Sequence, residues 1–377
     1  MAWSQGRRNV AVEQLELATT LVKDRPASPS KAAVLASVAR FRMLAGDHGP
    51  AIEVGRDAVE MAERFGLDEI QAEALISVGM ARYSSDHNEG RDDLERGIEL
   101  ALASSHLAAA ARGYQNLSMV TDDAVRQLEL LRTTEDLRLR AGHAEGARYT
   151  HASRAAFMFS LGRWDEALPL MDAFIADCEA GRPHYQEALL RGCRAWARVV
   201  RDDPEGAIDD LERSVAVARG AKDPQVVFES LGNAAFMYTE LGRLDEARTL
   251  AKEMLAANPQ APLWSATFLL VADQLGMGNA VRAAFATDRA PHSREALIVA
   301  MAERRLVAAV EIATCHGGVD MAAVLRCVVA ETLLEEGRAA EAGAQLEQAL
   351  AFYRSVGGTR FIREIEAQLA AIHSTVA

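Results

Sequence analysis

Two closely spaced pairs, His87-x-Glu89 and His143-x-Glu145, come nearest in residue type and spacing to known chemistry. Each matches the first half of a zinc deaminase signature, in which the histidine holds the metal and the glutamate moves the proton. The P-C-x-x-C half that completes such a site is missing, so a place in turns is the better reading of both pairs. Cys178 and Cys193 stand 15 residues apart and Cys315 and Cys327 stand 12 apart, without a C-x-x-C, and the nine histidines never form H-E-x-x-H. Structural zinc needs four such ligands converging in space, so no metal is expected. No serine lies in a G-x-S-x-G elbow. None of the four lysines (Lys23, Lys31, Lys222, Lys252) follows a glycine, which rules out a G-x-x-x-x-G-K-[ST] phosphate loop. The acidic pairs Asp92-Asp93, Asp202-Asp203 and Asp209-Asp210 read as capping and solvated residues near helix starts. The sequence therefore predicts no catalytic residue, no cofactor and no enzyme.

Composition narrows the partners. The chain carries 41 basic and 54 acidic residues in 377, a formal net charge of −13. That balance disfavours the phosphate backbone of nucleic acids, and Arg7-Arg8 and Arg304-Arg305 are too short and isolated to reverse it. The apolar stretch after Arg8 is interrupted by Glu13, Gln14 and Glu16, which suits an amphipathic helix rather than a signal peptide. No apolar run reaches bilayer length. Unpaired cysteines fit a reducing compartment, and the expectation is a soluble cytoplasmic protein.

The elements that would position any site follow from a repeat. Ala155, Ala195 and Ala235 are forty residues apart, and Ala167, Ala207 and Ala247 follow each by twelve. Two turns are nearly identical, LGRWDEA at Leu161 to Ala167 and LGRLDEA at Leu241 to Ala247, and EEGRAAEA at Glu335 to Ala342 is a third. Small residues recur where two helices of a hairpin must cross: Ala39, Gly79, Ala155, Ala195, Ala235 and Ala330 on the first helix, Ala51, Gly90, Ala167, Ala207, Ala247 and Ala342 on the second. Between them Gly46, Asp86, Gly162, Asp202, Gly242 or Gly337 ends the first helix. This predicts an all-α, right-handed superhelical solenoid of about nine hairpins with capping helices, and no strands.

Clear units fall at 32–66, 70–104, 145–180, 184–221, 224–258 and 321–357, with a shortened one from Leu107 to Gly142. The chain then divides into an N-terminal helix and linker (1–31), repeats (32–258), degenerate helical repeats (259–320) and a final repeat with a closing helix (321–377). Prolines 259, 262 and 291 break the degenerate part, which leaves helical segments near Leu263–Leu275, Arg294–Ala302 and Leu306–Thr314.

The small-residue pattern and its turns resemble the tetratricopeptide repeat, in a form longer than usual. The tail GRAAEAGAQLEQALAFYRSVGGTRFIREIEAQL, from Gly337 to Leu369, is similar to the C-terminal repeat region of a bacterial family of signalling regulators. In that family an adenylate or guanylate cyclase domain, or a DNA-binding domain, precedes an AAA-type ATPase and then such repeats. The resemblance spans about Ala32 to Leu369 and implies a regulatory arm that senses a protein or ligand. No cyclase sheet, phosphate loop or helix-turn-helix is legible here, so the resemblance implies a regulatory part separated from a cyclase or ATPase domain on another chain, a divergent member of that family, or an independent adaptor or scaffold.

If first helices line the inner face, the residue after each crossing position faces the groove: Arg40, Met80, Ala156, Trp196, Phe236. The next row is Met43, Tyr83, Phe159, Val199, Thr239. Aromatic and methionine side chains there suit a bound helix or extended peptide, while a tighter superhelix would bury them between units. Arg148, Arg154, Arg191, Arg194, Arg198 and Arg201 gather on first helices, which would make the inner face locally positive, or would cover apolar surface and pair with neighbours such as Glu187. The candidate partner-binding residues are Arg40, Met80, Tyr83, Phe159, Arg194, Trp196, Arg198 and Phe236.

Overall fold

The computed structural model describes residues 8–45, 47–83, 87–121, 123–257, 265–284, 297, 300–301, 304–315 and 318–376. Among these, every regular element is a helix. The chain forms two compact units, 1–154 and 155–377.

The first unit holds α1 (Arg8–Lys23) and three hairpins: α2 (Pro29–Ala45) with α3 (His48–Phe65), α4 (Asp68–Tyr83) with α5 (His87–Ala103), and α6 (Leu107–Met119) with α7 (Ala124–Arg140). The division between units falls within α8 (Ala144–Ser160). Local chemistry sets the ends. Gly66, at φ +63°, closes α3 by donating its N–H to the Ala62 and Glu63 carbonyls. The Asp123 carboxylate caps α7 by accepting from the Arg126 N–H at 2.7 Å. The core runs through Ile76, Leu94, Ile98, Leu130 and Leu137 with a lining of alanines.

The second unit continues with α9 (Trp164–Glu179), α10 (Glu187–Val200), α11 (Pro204–Ala221), α12 (Pro224–Glu240) and α13 (Leu244–Ala257). Then come the short α14 (Ala266–Val271) and α15 (Gly278–Ala284), α16 (Leu306–Cys315), and α17 (Val319–Glu335), α18 (Ala339–Ser355) and α19 (Thr359–Val376). The α14 and α16 helices lie where the sequence places helical segments. Gly278–Ala284 is not among those segments, and Arg294–Ala302 falls mostly outside the described residues.

The crossings are as the small residues require. Ala39, Ala51, Ala155, Ala167, Ala195, Ala207, Ala235, Ala247, Ala330 and Ala342 are all fully buried. The turns share one geometry. Gly162, Gly242 and Gly337 sit at φ +74°, +73° and +76°, and Asp202 adopts the same left-handed conformation at +67°. In each, the next N–H reaches back five residues: Arg163 to Met158 O, Asp203 to Arg198 O, Arg243 to Tyr238 O and Arg338 to Leu333 O. Arg163, Arg243 and Arg338 then pair with Glu166, Glu246 and Glu341 in the first turn of the following helix, which accounts for the recurring G-R-x-x-E. Gly46 and Asp86, expected in the same role, lie outside the described residues.

Candidate functional site

Arg40, Met80 and Tyr83 belong to the first unit. Arg40 is exposed on α2. Met80 and Tyr83 lean on the core of α4 to α7, and the Tyr83 hydroxyl donates to the Val120 carbonyl at 3.3 Å. That bond is shared with the Arg91 guanidinium at 2.7 Å, so Tyr83 is held in place rather than presented.

In the second unit the structure gathers Phe159, Trp196 and Phe236 from α8, α10 and α12, and all three are covered. They pack on neighbouring rings, which in turn meet the end of the chain. Phe159 stacks on Trp164 with centroids 4.5 Å apart, and the edge of Trp164 meets Phe352 of α18 at 6.0 Å. Trp196 contacts Phe236 at 5.3 Å and Phe361 of α19 at 5.6 Å, and Phe361 stacks on Tyr353 at 4.5 Å. Arginines latch the turn between α18 and α19 to the ends of the earlier first helices. The Arg201 guanidinium donates to the Val356 carbonyl at 3.1 and 2.9 Å. Arg360 donates to the terminal Glu240 carbonyl of α12 at 2.9 Å, where the helix dipole favours a cation. Arg363 pairs with Asp202 at 2.9 Å.

The arginines do not make the inner face positive. Asp210 on α11 is fully buried and accepts from Arg191 at 3.1 Å, Arg194 at 2.8 and 2.6 Å, and Arg198 at 2.7 Å. Glu187 and Glu179 complete the shell of Arg191, each at 2.7 Å. Burial alone would lower the Arg191 pKa, but these acceptors outweigh it and the net shift is upward. The Asp210 bond raises Arg194 likewise. Arg194 and Arg198 are thus directed at the neighbouring second helix. Asp210 also differs from its sequence reading as a solvated turn acid.

Trp196 and Phe236 also border a cavity of about 350 Å³ whose lining is rich in carboxylates. Trp196, Phe236 and Phe361 supply its aromatic wall, and Glu240, Asp273, Glu331, Glu335 and Glu364 line it with carboxylates. Arg360 touches two of these, Glu364 at 2.9 Å and Glu240 at 3.8 Å, and Arg304 approaches Asp273 at 3.6 Å. Glu331 and Glu335, one turn apart on α17, have no cationic partner among the described residues. Confinement raises the Glu331 pKa, and the Glu335 charge adds to it. Burial raises Glu240 against the opposing pull of Arg360. Burial, with the nearby carboxylates, pushes the Cys327 thiol up to about 12, so it is not a reactive thiolate. Among the described residues no three histidine, cysteine or acidic groups converge as a metal site. No described helix is long and apolar enough to cross a membrane.

Hairpins with a small-on-small crossing and a left-handed turn, repeated at about forty residues, decide the architecture. The fold is tetratricopeptide-like. No family model and no curated protein matches the chain. Among solved structures, the chain is similar to a circular tandem repeat protein with novel repeat topology, at 16% identity over 96% of each chain and a TM-score of 0.24. It is also similar to the tetratricopeptide domain of P58(IPK), at 16% identity over 88% of this chain and 98% of that one, again with a TM-score of 0.24.

One further group in the second unit makes stability depend on pH. Asp320, in the first turn of α17, has its pKa raised to about 7 by burial, against the bonds it takes from backbone N–H groups. The folded state then keeps a proton that the unfolded chain releases, so stability falls as pH rises from about 4 to about 7 and levels off above. Asp320→Asn removes that dependence. In urea titrations the variant should gain about 2 kcal/mol at pH 8, after allowance for partial solvent access, and match the parent near pH 4. An equal change at both pH values would refute the assignment.

Proposed function

We propose that the chain is a non-enzymatic recognition module, a protein-binding or sensory arm of a bacterial signalling system. One observation carries this reading: Trp196 of the first-helix row, and Trp164 stacked on Phe159, already grip a hairpin from far along the sequence, through ring contacts with Phe361 and Phe352 and arginine-to-carbonyl bonds. A face that holds α18 and α19 has the chemistry to hold a helical segment of another protein. The partner engages this tetratricopeptide-like array through first helices, in exchange with or beside the C-terminal hairpin. The resemblance of the tail to cyclase- and ATPase-linked regulators makes a cyclase or ATPase domain on another chain the first partner to try.

The test is a crosslinking experiment between the full chain and such a domain expressed separately. The expected crosslinks fall on α8, α10, α12 and α19, and Arg201→Ala with Arg363→Ala, which loosens the latch, should increase their yield. Crosslinks confined to other faces, or ATP turnover by the purified chain alone, would overturn the reading.

A further inference from the structure

In the first unit two cations stand without a carboxylate. Arg40 on α2 is exposed and Arg112 on α6 is partly buried, and neither has an acidic group within ion-pair distance among the described residues. The Arg112 guanidinium reaches across to α4, where it donates to the Ser77 hydroxyl at 3.0 Å and to the Glu73 carbonyl at 2.9 Å. Both acceptors are neutral. The Glu73 carboxylate itself lies 3.9 Å from His106 and makes no contact with Arg112.

The α2, α4 and α6 helices pack in sequence, α2 on α4 and α4 on α6, which brings Arg40 within electrostatic reach of Arg112. Burial lowers the Arg112 pKa to about 10, the Arg40 charge adds to that, and Glu73 opposes both. Like charges set together at a partly dry position cost free energy unless an anion joins them. In the second unit Asp210 serves as that anion for three arginines. The first unit supplies no such residue to Arg40 and Arg112. A separate sign lies one turn along α6: Asn116 shares a stripe of the helix with Arg112, and its buried amide nitrogen has no hydrogen-bond partner. An orphaned donor beside two unpaired guanidinium groups lacks an acceptor.

We propose that Arg40, Arg112 and Asn116 bind a phosphate monoester across α4. A phosphate dianion matches two guanidinium charges and offers several oxygens to donors arriving from α2 and α6, whereas a carboxylate offers fewer oxygens and half the charge. The net charge of −13 turns away a polyanion, but a single phosphate senses chiefly the charges within about 8 Å. The inference rests on reading the chain as a recognition module, and it places a phosphorylated group of what is recognised on the first unit.

Calorimetric titration of the full chain with glycerol 2-phosphate, and with the peptide Ala-phosphoserine-Ala blocked at both ends, tests the proposal at physiological salt. Both should bind saturably at one site, and the tighter of the two tells whether the phosphate belongs to a small ester or to a protein. Glutarate, a dianion built from carboxylates, should bind about tenfold more weakly. Arg40→Gln, an exposed position where folding is not at stake, should weaken both phosphates about tenfold. Asn116→Asp sets a carboxylate one turn from Arg112, so it should abolish phosphate binding while raising the midpoint of unfolding. Arg96→Gln on α5, with a side chain 61% exposed, makes the same charge change as Arg40→Gln and should have no effect. Absence of saturable phosphate binding, equal loss in Arg40→Gln and Arg96→Gln, or glutarate bound as tightly as the phosphates would each overturn the site. The partner crosslinks on α10, α12 and α19 involve neither Arg40 nor Arg112, so failure of the phosphate site is distinguishable from failure of the recognition reading.

Discussion

Asp210→Asn is expected to destabilise the second unit by about 3–5 kcal/mol, measured as a fall in the midpoint of chemical unfolding. The carboxylate is fully buried, and it is the common acceptor for Arg191, Arg194 and Arg198, whose side chains are 2%, 16% and 31% exposed. Asparagine preserves the shape but removes the charge, so three guanidinium groups remain crowded around a neutral amide. Arg191 has the least access to water and suffers most. Arg198, also bonded to the Gly206 carbonyl at 2.8 Å, can turn toward solvent. Arg198→Ala should therefore cost clearly less than Asp210→Asn. If the two variants lose equal stability, the network is a set of separate surface pairs and not a buried hub.

Gly90→Ala should be the most damaging single methyl addition in the first unit. A Cβ at Gly90 would lie 2.4 Å from the Tyr83 nitrogen, 2.5 Å from its Cα and 2.8 Å from the Gly79 carbonyl oxygen. All three are backbone atoms, so no side chain can turn aside, and α4 and α5 must move apart. Alanine favours helix over glycine by about 1 kcal/mol, but overpacking costs about 3 kcal/mol or more. The net loss expected is about 2 kcal/mol, read from urea denaturation. Gly79→Ala meets the Gly90 oxygen and Leu94 nitrogen at 2.7 Å and should behave alike. Gly49→Ala, with nothing within 4 Å, should not. A neutral Gly90→Ala would mean that the two helices do not approach this closely.

These two sites also separate what the sequence makes visible from what it hides. Gly79 and Gly90 are legible because the crossing recurs: the same places hold alanine in the other hairpins, and one spacing identifies them all. Gly162, Gly242 and Gly337 are legible as turn residues for the same reason, and Asp202 is recognised by its place in the series. Asp210 is not, because spacing along α11 shows where the residue sits on its helix and says nothing of the three arginines of α10 that meet it. Spacing alone assigns Phe159, Trp196 and Phe236 to first helices, yet the contacts of Trp164 with Phe352 and of Trp196 with Phe361 join residues more than a hundred positions apart, which no local pattern encodes. The acidic lumen follows from that same closure, since Glu331, Glu335 and Glu364 come from the segments that complete it.

That closure also changes how the second unit must unfold. A linear stack of hairpins loses its end repeats one at a time, since each touches only its neighbours. Here the bonds from Val356, Arg360 and Arg363 tie the final turn to residues 120 to 161 positions away. Detaching α19 exposes Trp196 and Phe236, and opening α10 strips α19 of its anchor, so neither end can fray alone. The unit should melt in one cooperative step, with amide hydrogens of α10 and α19 exchanging with solvent at matched rates.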